Sequence, residues 1–288
     1  MDADVKMPKR ISALLGGALL LAMALFYAFA YLETRMSGGF VWLLLLRTLS
    51  TVLVFIIPML FLRTAFRKEG LTVLASAKKA SLNKTLVTIL SSFGLIVIAE
   101  VLYAAVFPTV VREVGVSAER SFFENILLFL AASVVPAAVE EIFFRGVVLR
   151  HLRVFRTSLA ILMSALIFAL FHFSVTLFPL AFVCGWIISA AYVSTGSLFA
   201  AIGIHFLGNA FWFFSETVQV CAPEMHSLLM RGAVAVCVLL SSAGLPFLKE
   251  NVIAFLEDEV KDSVPSSRFW SLPMLLFIAV SVIIQLLF

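Results

Sequence analysis

Residues Ile126 to Leu149 read ILLFLAASVVPAAVEEIFFRGVVL, an apolar run long enough to cross a bilayer that nevertheless carries Glu140, Glu141 and Arg145. About 20 apolar residues suffice for a helix to span a hydrocarbon core of roughly 30 Å. With no water at that depth, backbone N–H and C=O groups must be satisfied within the segment, so the run is read as a helix. Carboxylates at membrane depth are costly and mark functional positions. A helix puts Glu141 and Arg145, four residues apart, on one face, where they can pair. Glu140 is rotated from Glu141 by about 100° and is left to accept a proton, as a general base does. The bland alternative makes the acids and Arg145, Arg150 and Arg153 mere anchors at the membrane edge. Anchors need one acid at most, and basic residues serve as well.

Outward from this run the pattern repeats. The 288 residues are 62% hydrophobic and 13% charged with a mean hydropathy of +1.11, far outside the soluble range. Apolar windows near residues 11–32, 40–62, 86–110, 123–149, 157–173, 175–194, 197–215, 227–248 and 269–288 predict an all-α polytopic transmembrane bundle of eight to nine spans. The fifth to seventh are joined by very short turns. No repeat or soluble domain interrupts them. The chain divides into N-terminal helices with a basic loop (1–122), a core carrying the polar motifs (123–216) and C-terminal helices with an interfacial segment (217–288).

Orientation follows from the basic residues of the short loops. With the N-terminus inside, cytoplasmic segments hold Lys6, Lys9, Arg10, Arg63, Arg67, Lys68, Lys78, Lys79, Lys84, Arg145, Arg150, Arg153, Arg156, Lys249, Lys261 and Arg268. Outer segments hold only Arg35, Arg112, Arg120 and Arg231, with Arg47 left inside the second span. This split supports N-in and C-out, and it explains the net charge of +4 without a nucleic-acid partner. No phosphate-binding glycine motif or aromatic-basic patch argues otherwise. A cleavable signal over residues 1–30 is the alternative for the first span, whose apolar run exceeds the usual signal core of about 7–15 residues. Residues 63–85 and 249–262 suit interfacial helices on the cytoplasmic side. Cys184, Cys221 and Cys237 are too scattered for a disulfide framework or a metal knuckle.

Few polar groups remain in the spans: Arg47, Glu100, Glu140, Glu141, His172, His205, Asn209 and Arg231, besides hydroxyls that can bond their own helix. Phe168 and His172 stand one turn apart at the end of the fifth span. A lone histidine there is an interfacial residue as often as a functional one. His205 and Asn209 share a face of the seventh span, where Gly203 and Gly208 allow close helix approach; interhelical hydrogen bonding is the plain reading of that pair. Three helices each offering such groups point to one shared site.

The ordered set Glu140-Glu141-xxx-Arg145, Phe168-xxx-His172 and His205-xxx-Asn209 on successive spans resembles the CPBP family of intramembrane proteases, also called ABI or CAAX prenyl protease 2-like, over about residues 123–216. The resemblance implies peptide-bond hydrolysis in an intramembrane cavity open toward the cytoplasm. It makes Glu140 the activator of water, helped by His172, with His205 and Asn209 positioning the water or stabilising the oxyanion. Glu141 and Arg145 become supporting residues, with Phe168. The implied substrate is a peptide or membrane-anchored protein, and the expected residence is a bacterial cytoplasmic membrane.

No cofactor is expected, although zinc is possible: one carboxylate and two imidazoles, Glu140, His172 and His205, match the ligand count of an open catalytic site, with Glu141 then acting as base. There is no HExxH, and the resemblance favours a glutamate mechanism without metal. All four aspartates fall outside the spans, which excludes an intramembrane aspartyl dyad on this topology. Gly196-Ser197 reads as a helix start rather than a nucleophile elbow. Rival readings are a transporter or channel using Glu100, Glu140, Glu141 and His172 as a proton or cation path, and a non-catalytic membrane scaffold.

Overall fold

A computed structural model describes residues 2–68, 80–107, 115–257 and 269–287, all of their regular structure helical. Among these described residues nine apolar segments form, one for each window. They are α1 (Asp2–Arg35), α2 (Phe40–Lys68), α3 (Leu82–Val106), α4 (Phe122–Leu152), α5 (Thr157–Leu170), α6 (Phe178–Thr195), α7 (Leu198–Cys221), α8 (Pro223–Glu257) and α9 (Leu272–Leu287). Seven are long and apolar enough to cross a membrane, and α5 and α9 are shorter. The chain is an integral membrane protein.

Local chemistry sets several of the boundaries. Ser121 starts α4 with a capping box: its Oγ accepts from Glu124 N at 3.2 Å while Glu124 Oε2 accepts from Ser121 N at 2.9 Å. Gly196, left-handed at φ 61°, ends α6, and Ser197 at once caps α7 by accepting from Ala200 N at 3.3 Å. Ser197 is thus a cap, as its sequence context suggested. Two expected boundaries move. α2 is helical through Lys68 and α8 through Glu257, so both run into stretches expected to be separate interfacial segments. Residues 82–85 already belong to α3, while 69–79 and 258–262, with Lys78, Lys79, Lys261, Asp258 and Asp262, lie outside the described residues, as do Arg112 and Arg268.

α4 lies at the centre, against α2, α5 and α7; α1 packs on α2 and α9, and α3 on α6, α7 and α8. Gly94 makes the contact between α3 and α8 possible, since a Cβ there would lie 2.4 Å from the Cys237 carbonyl oxygen. Ring contacts align the two ends. At one end Arg120 covers Phe40 and Phe173 meets Tyr27; at the other Phe66 stacks on His151 and Phe155 meets Phe269. The second end is sealed: Leu62, Phe66, Phe143, Val147, Val148, Leu149 and Leu152 are buried beneath it. Arg63, Arg67, Arg150, Arg153 and Arg156 cluster toward that end in the helix order.

Candidate active site

The acidic pair sits in a helix that changes pitch twice. α4 has π-helical turns at Leu130–Val134 and Phe144–Leu149, and the α-helical stretch Val135–Phe143 between them carries Glu140 and Glu141. Pro136 has no N–H to donate to the preceding turn, which removes a link of the regular ladder where the first π-turn ends. Such turns recur at functional sites because they re-aim side chains.

Glu141 and Arg145 are both fully buried, and Arg145 Nη1 donates to Glu141 Oε1 at 2.8 Å. Arg145 also donates through Nη2 to the Gly185 carbonyl at 2.9 Å, and its guanidinium lies 4.6 Å from the centre of the Phe168 ring. Phe168 therefore supports the cation. Gly185 supplies something the motifs did not announce. A Cβ there would stand 3.0 Å from Phe168 Cδ1 and 3.3 Å from Ala165 Cα, so only glycine lets α6 bring its carbonyl to Arg145 without displacing α5. By contrast, a Cβ on Gly203 or Gly208 would meet its nearest neighbours at 3.6 and 3.5 Å, ordinary contact distances. Those two glycines are not what holds α7 close.

Both imidazoles are oriented through Nδ1. His205 Nδ1 is 2.7 Å from Glu141 Oε1, and His172 Nδ1 is 2.9 Å from the Phe168 carbonyl oxygen. A backbone carbonyl can only accept, so His172 carries its proton on Nδ1 and presents Nε2 as the basic nitrogen. A carboxylate paired with Arg145 likewise accepts from His205, leaving Nε2 of that ring as the basic nitrogen. His172 itself is not helical. α5 stops at Leu170, whose carbonyl accepts from Gln285 Nε2 of α9 at 3.0 Å, and His172 sits in the turn that follows. Phe173 next to it adopts φ 46°, a left-handed backbone that a bulky residue rarely takes, and its ring packs on Phe26, Tyr27 and Phe171.

Two cavities meet at this turn. The larger, of 440 Å³, is lined by Glu140 and His172 with residues of α1, α2 and α4. The smaller, of 190 Å³, is lined by His172, His205, Asn209, Phe168 and the buried Glu100. His172 lines both: Glu140 is on the wall of the larger cavity, His205 and Asn209 are on the wall of the smaller, and His172 is common to the two. Glu100 joins them from α3, a place that spacing within the motifs could not reveal.

The larger cavity lies where α1 ends and α2 begins: Glu33 and Arg47 are on its wall, and the buried Val54, Phe55, Phe144 and Phe171 close its inner side. That is the end of the bundle opposite the arginine-rich one. A cytoplasmic opening and an N-terminus inside therefore point to opposite faces of the membrane, and the two expectations cannot both hold.

Zinc chemistry finds no ready ligand set. Among the described residues no three His, Cys, Asp or Glu side chains converge as metal ligands. Glu140 and His205 line different cavities.

Residues 122–211 match the family described as type II CAAX prenyl endopeptidase, Rce1-like, a segment that contains the acidic pair, Arg145, both histidines and Asn209. No curated protein and no solved structure matches the chain.

Proposed function

We propose, from the match of residues 122–211 to the type II CAAX prenyl endopeptidases, that the chain is an intramembrane endopeptidase in which Glu140 activates water. The observation that carries this reading is the shared position of His172, which lines Glu140's cavity and the one lined by His205 and Asn209.

The reaction follows from these groups. Glu140 takes a proton from a water that His172 Nε2 orients, and the hydroxide adds to the scissile carbonyl carbon. The Asn209 amide donates to the resulting oxyanion, while His205, held through Nδ1 by Glu141, keeps its Nε2 toward the same cavity. When the C–N bond breaks, Glu140 returns the proton to the leaving amine. Glu141 is engaged by Arg145 and His205, so of the two neighbouring acids Glu140, on the cavity wall, is the one that cycles its proton. The substrate is a peptide or the membrane-proximal segment of an anchored protein, and the host membrane is a bacterial cytoplasmic membrane.

The test is a comparison of membrane peptides from cells expressing wild type and Glu140→Gln. Peptides that appear only with the intact carboxylate support hydrolysis and name substrates; identical peptide sets refute it.

A further inference from the structure

The hydrolytic reaction gives Glu100 no part, yet this carboxylate is buried in the apolar second half of α3 with 3% exposure. Carboxylates at membrane depth are costly and mark functional positions. Glu100 stands outside the segment matched to the endopeptidases, on the wall of the smaller cavity with His172, His205 and Asn209. The rest of that wall is mostly apolar, with Ile96, Leu180 and Ile188. α3 also holds the turn that carries His172. Tyr103, one helical turn after Glu100, donates its hydroxyl to the Thr176 carbonyl, and Ser174 Oγ accepts from Leu177 N at 3.2 Å. One face of α3 therefore brings a carboxylate to the cavity and a clamp to the adjoining turn.

Each peptide bond broken consumes one water, and a peptide seated at Glu140 displaces the solvent around it. A buried water needs two to four polar partners and fills about 30 Å³ in the liquid. The smaller cavity, of 190 Å³, has room for several. Its polar groups are complementary to water: a Glu100 oxygen and His172 Nε2 accept, and the Asn209 amide donates. His172 is common to this wall and to that of Glu140's cavity. Resting on the hydrolytic reading, we infer that the smaller cavity stores the water of hydrolysis and that Glu100 is a positioning residue for it. Glu100 accepts one hydrogen of a water whose other hydrogen goes to His172 Nε2. As the water at Glu140 is consumed, the stored molecule passes His172 intact and replaces it.

X-ray hydroxyl-radical labelling of the full-length chain in nanodiscs, read by mass spectrometry, reports water beside a buried side chain without turnover. Cys184 on the smaller cavity's wall is the reporter, and Phe26 and Phe29 on the larger cavity's wall are the control. Labelling of Cys184 falls several-fold in Glu100→Leu and stays near wild type in Glu100→Gln, which still offers an accepting oxygen. The Phe26 and Phe29 rates do not move. Leu suits an apolar span at least as well as Glu, so the unfolding temperature is not lowered. With a quenched fluorescent peptide, Glu100→Leu lowers kcat about 10-fold at unchanged KM, the loss expected of a buried hydrogen bond, and Glu100→Gln recovers most of it. Undiminished Cys184 labelling in Glu100→Leu, an unchanged kcat in that variant, or a Gln variant as impaired as the Leu variant overturns the store. A wild type that cleaves no peptide, with Cys184 labelling still lost in Glu100→Leu, removes hydrolysis and leaves the hydrated pocket standing.

Discussion

His205 Nδ1 lies 2.7 Å from Glu141 Oε1, the same oxygen that accepts from Arg145 at 2.8 Å. One carboxylate oxygen therefore ties α7 to α4 while a buried guanidinium pairs with it. The neighbouring acids differ in environment: Glu141 is fully buried and doubly engaged, whereas Glu140 is half-buried on a cavity wall.

The two glutamine variants separate these roles. Glu140→Gln keeps shape but removes the base, so peptide cleavage falls by at least about 100-fold with unfolding temperature unchanged. Glu141→Gln removes the charge opposite Arg145 and weakens the hold on His205, so it lowers both unfolding temperature and turnover. Cleavage of a quenched fluorescent peptide and thermal unfolding in detergent read the pair; turnover in Glu140→Gln equal to wild type refutes its assignment as base.

Removing the cation tests the ion pair itself. Arg145→Ala leaves Glu141 charged in a site with no exposure and destabilises the fold by about 3–5 kcal/mol. Adding Glu141→Gln removes the stranded charge and recovers part of that loss, a coupling that a double-mutant cycle in chemical denaturant measures. Activity stays low in the double variant, because His205 has lost its ionised partner. Additive losses of stability would show that the pair is not coupled.

Much of this was legible because the decisive relations are local. Glu141 and Arg145 are four apart on a helix, and so are His205 and Asn209, so periodicity alone predicts shared faces. The nine apolar windows are likewise dictated by bilayer thickness. What periodicity could not reach depends on tertiary approach. The Gly185 carbonyl at Arg145, Glu100 on the same cavity wall as Asn209, and Gln285 capping α5 each join segments distant in the chain. His172 looked helical because its apolar run continues past Leu170; the helix ends earlier, where Gln285 takes the Leu170 carbonyl and the chain turns through Phe173.

Gly185 is the position where a single methyl group has the clearest consequence. In Gly185→Ala the new Cβ meets Phe168 at 3.0 Å and the Ala165 backbone at 3.3 Å, and both neighbours are buried. Overpacking of this kind costs about 1–3 kcal/mol. Because Phe168 carries the Arg145 cation and its carbonyl orients His172, turnover drops together with stability. Gly208→Ala, with its nearest contact at 3.5 Å, is tolerated in the same assays. Equal effects of the two substitutions would refute the close-approach argument.

The orientation conflict has a native reporter. The arginine-rich ends of α2 and α4 belong in the cytoplasm by the distribution of basic residues, which puts the Glu33 and Arg47 side of the larger cavity outside. α7 ends at that same side, since Phe213 and Phe214 near its C-terminus meet Phe129 near the start of α4. Its last residue, Cys221, is exposed, whereas Cys237 is buried and Cys184 lines the smaller cavity. A membrane-impermeant maleimide therefore labels Cys221 in intact cells, and Cys221→Ser abolishes the signal. In a Cys221→Ser background, Arg156→Cys at the opposite end is labelled only after permeabilisation. The reverse pattern would place the cavity on the cytoplasmic face and set the chain's basic residues against the usual rule. Either result fixes which compartment the larger cavity and Glu140 face, because Phe143, Val147, Leu149 and Leu152 are buried toward the other end.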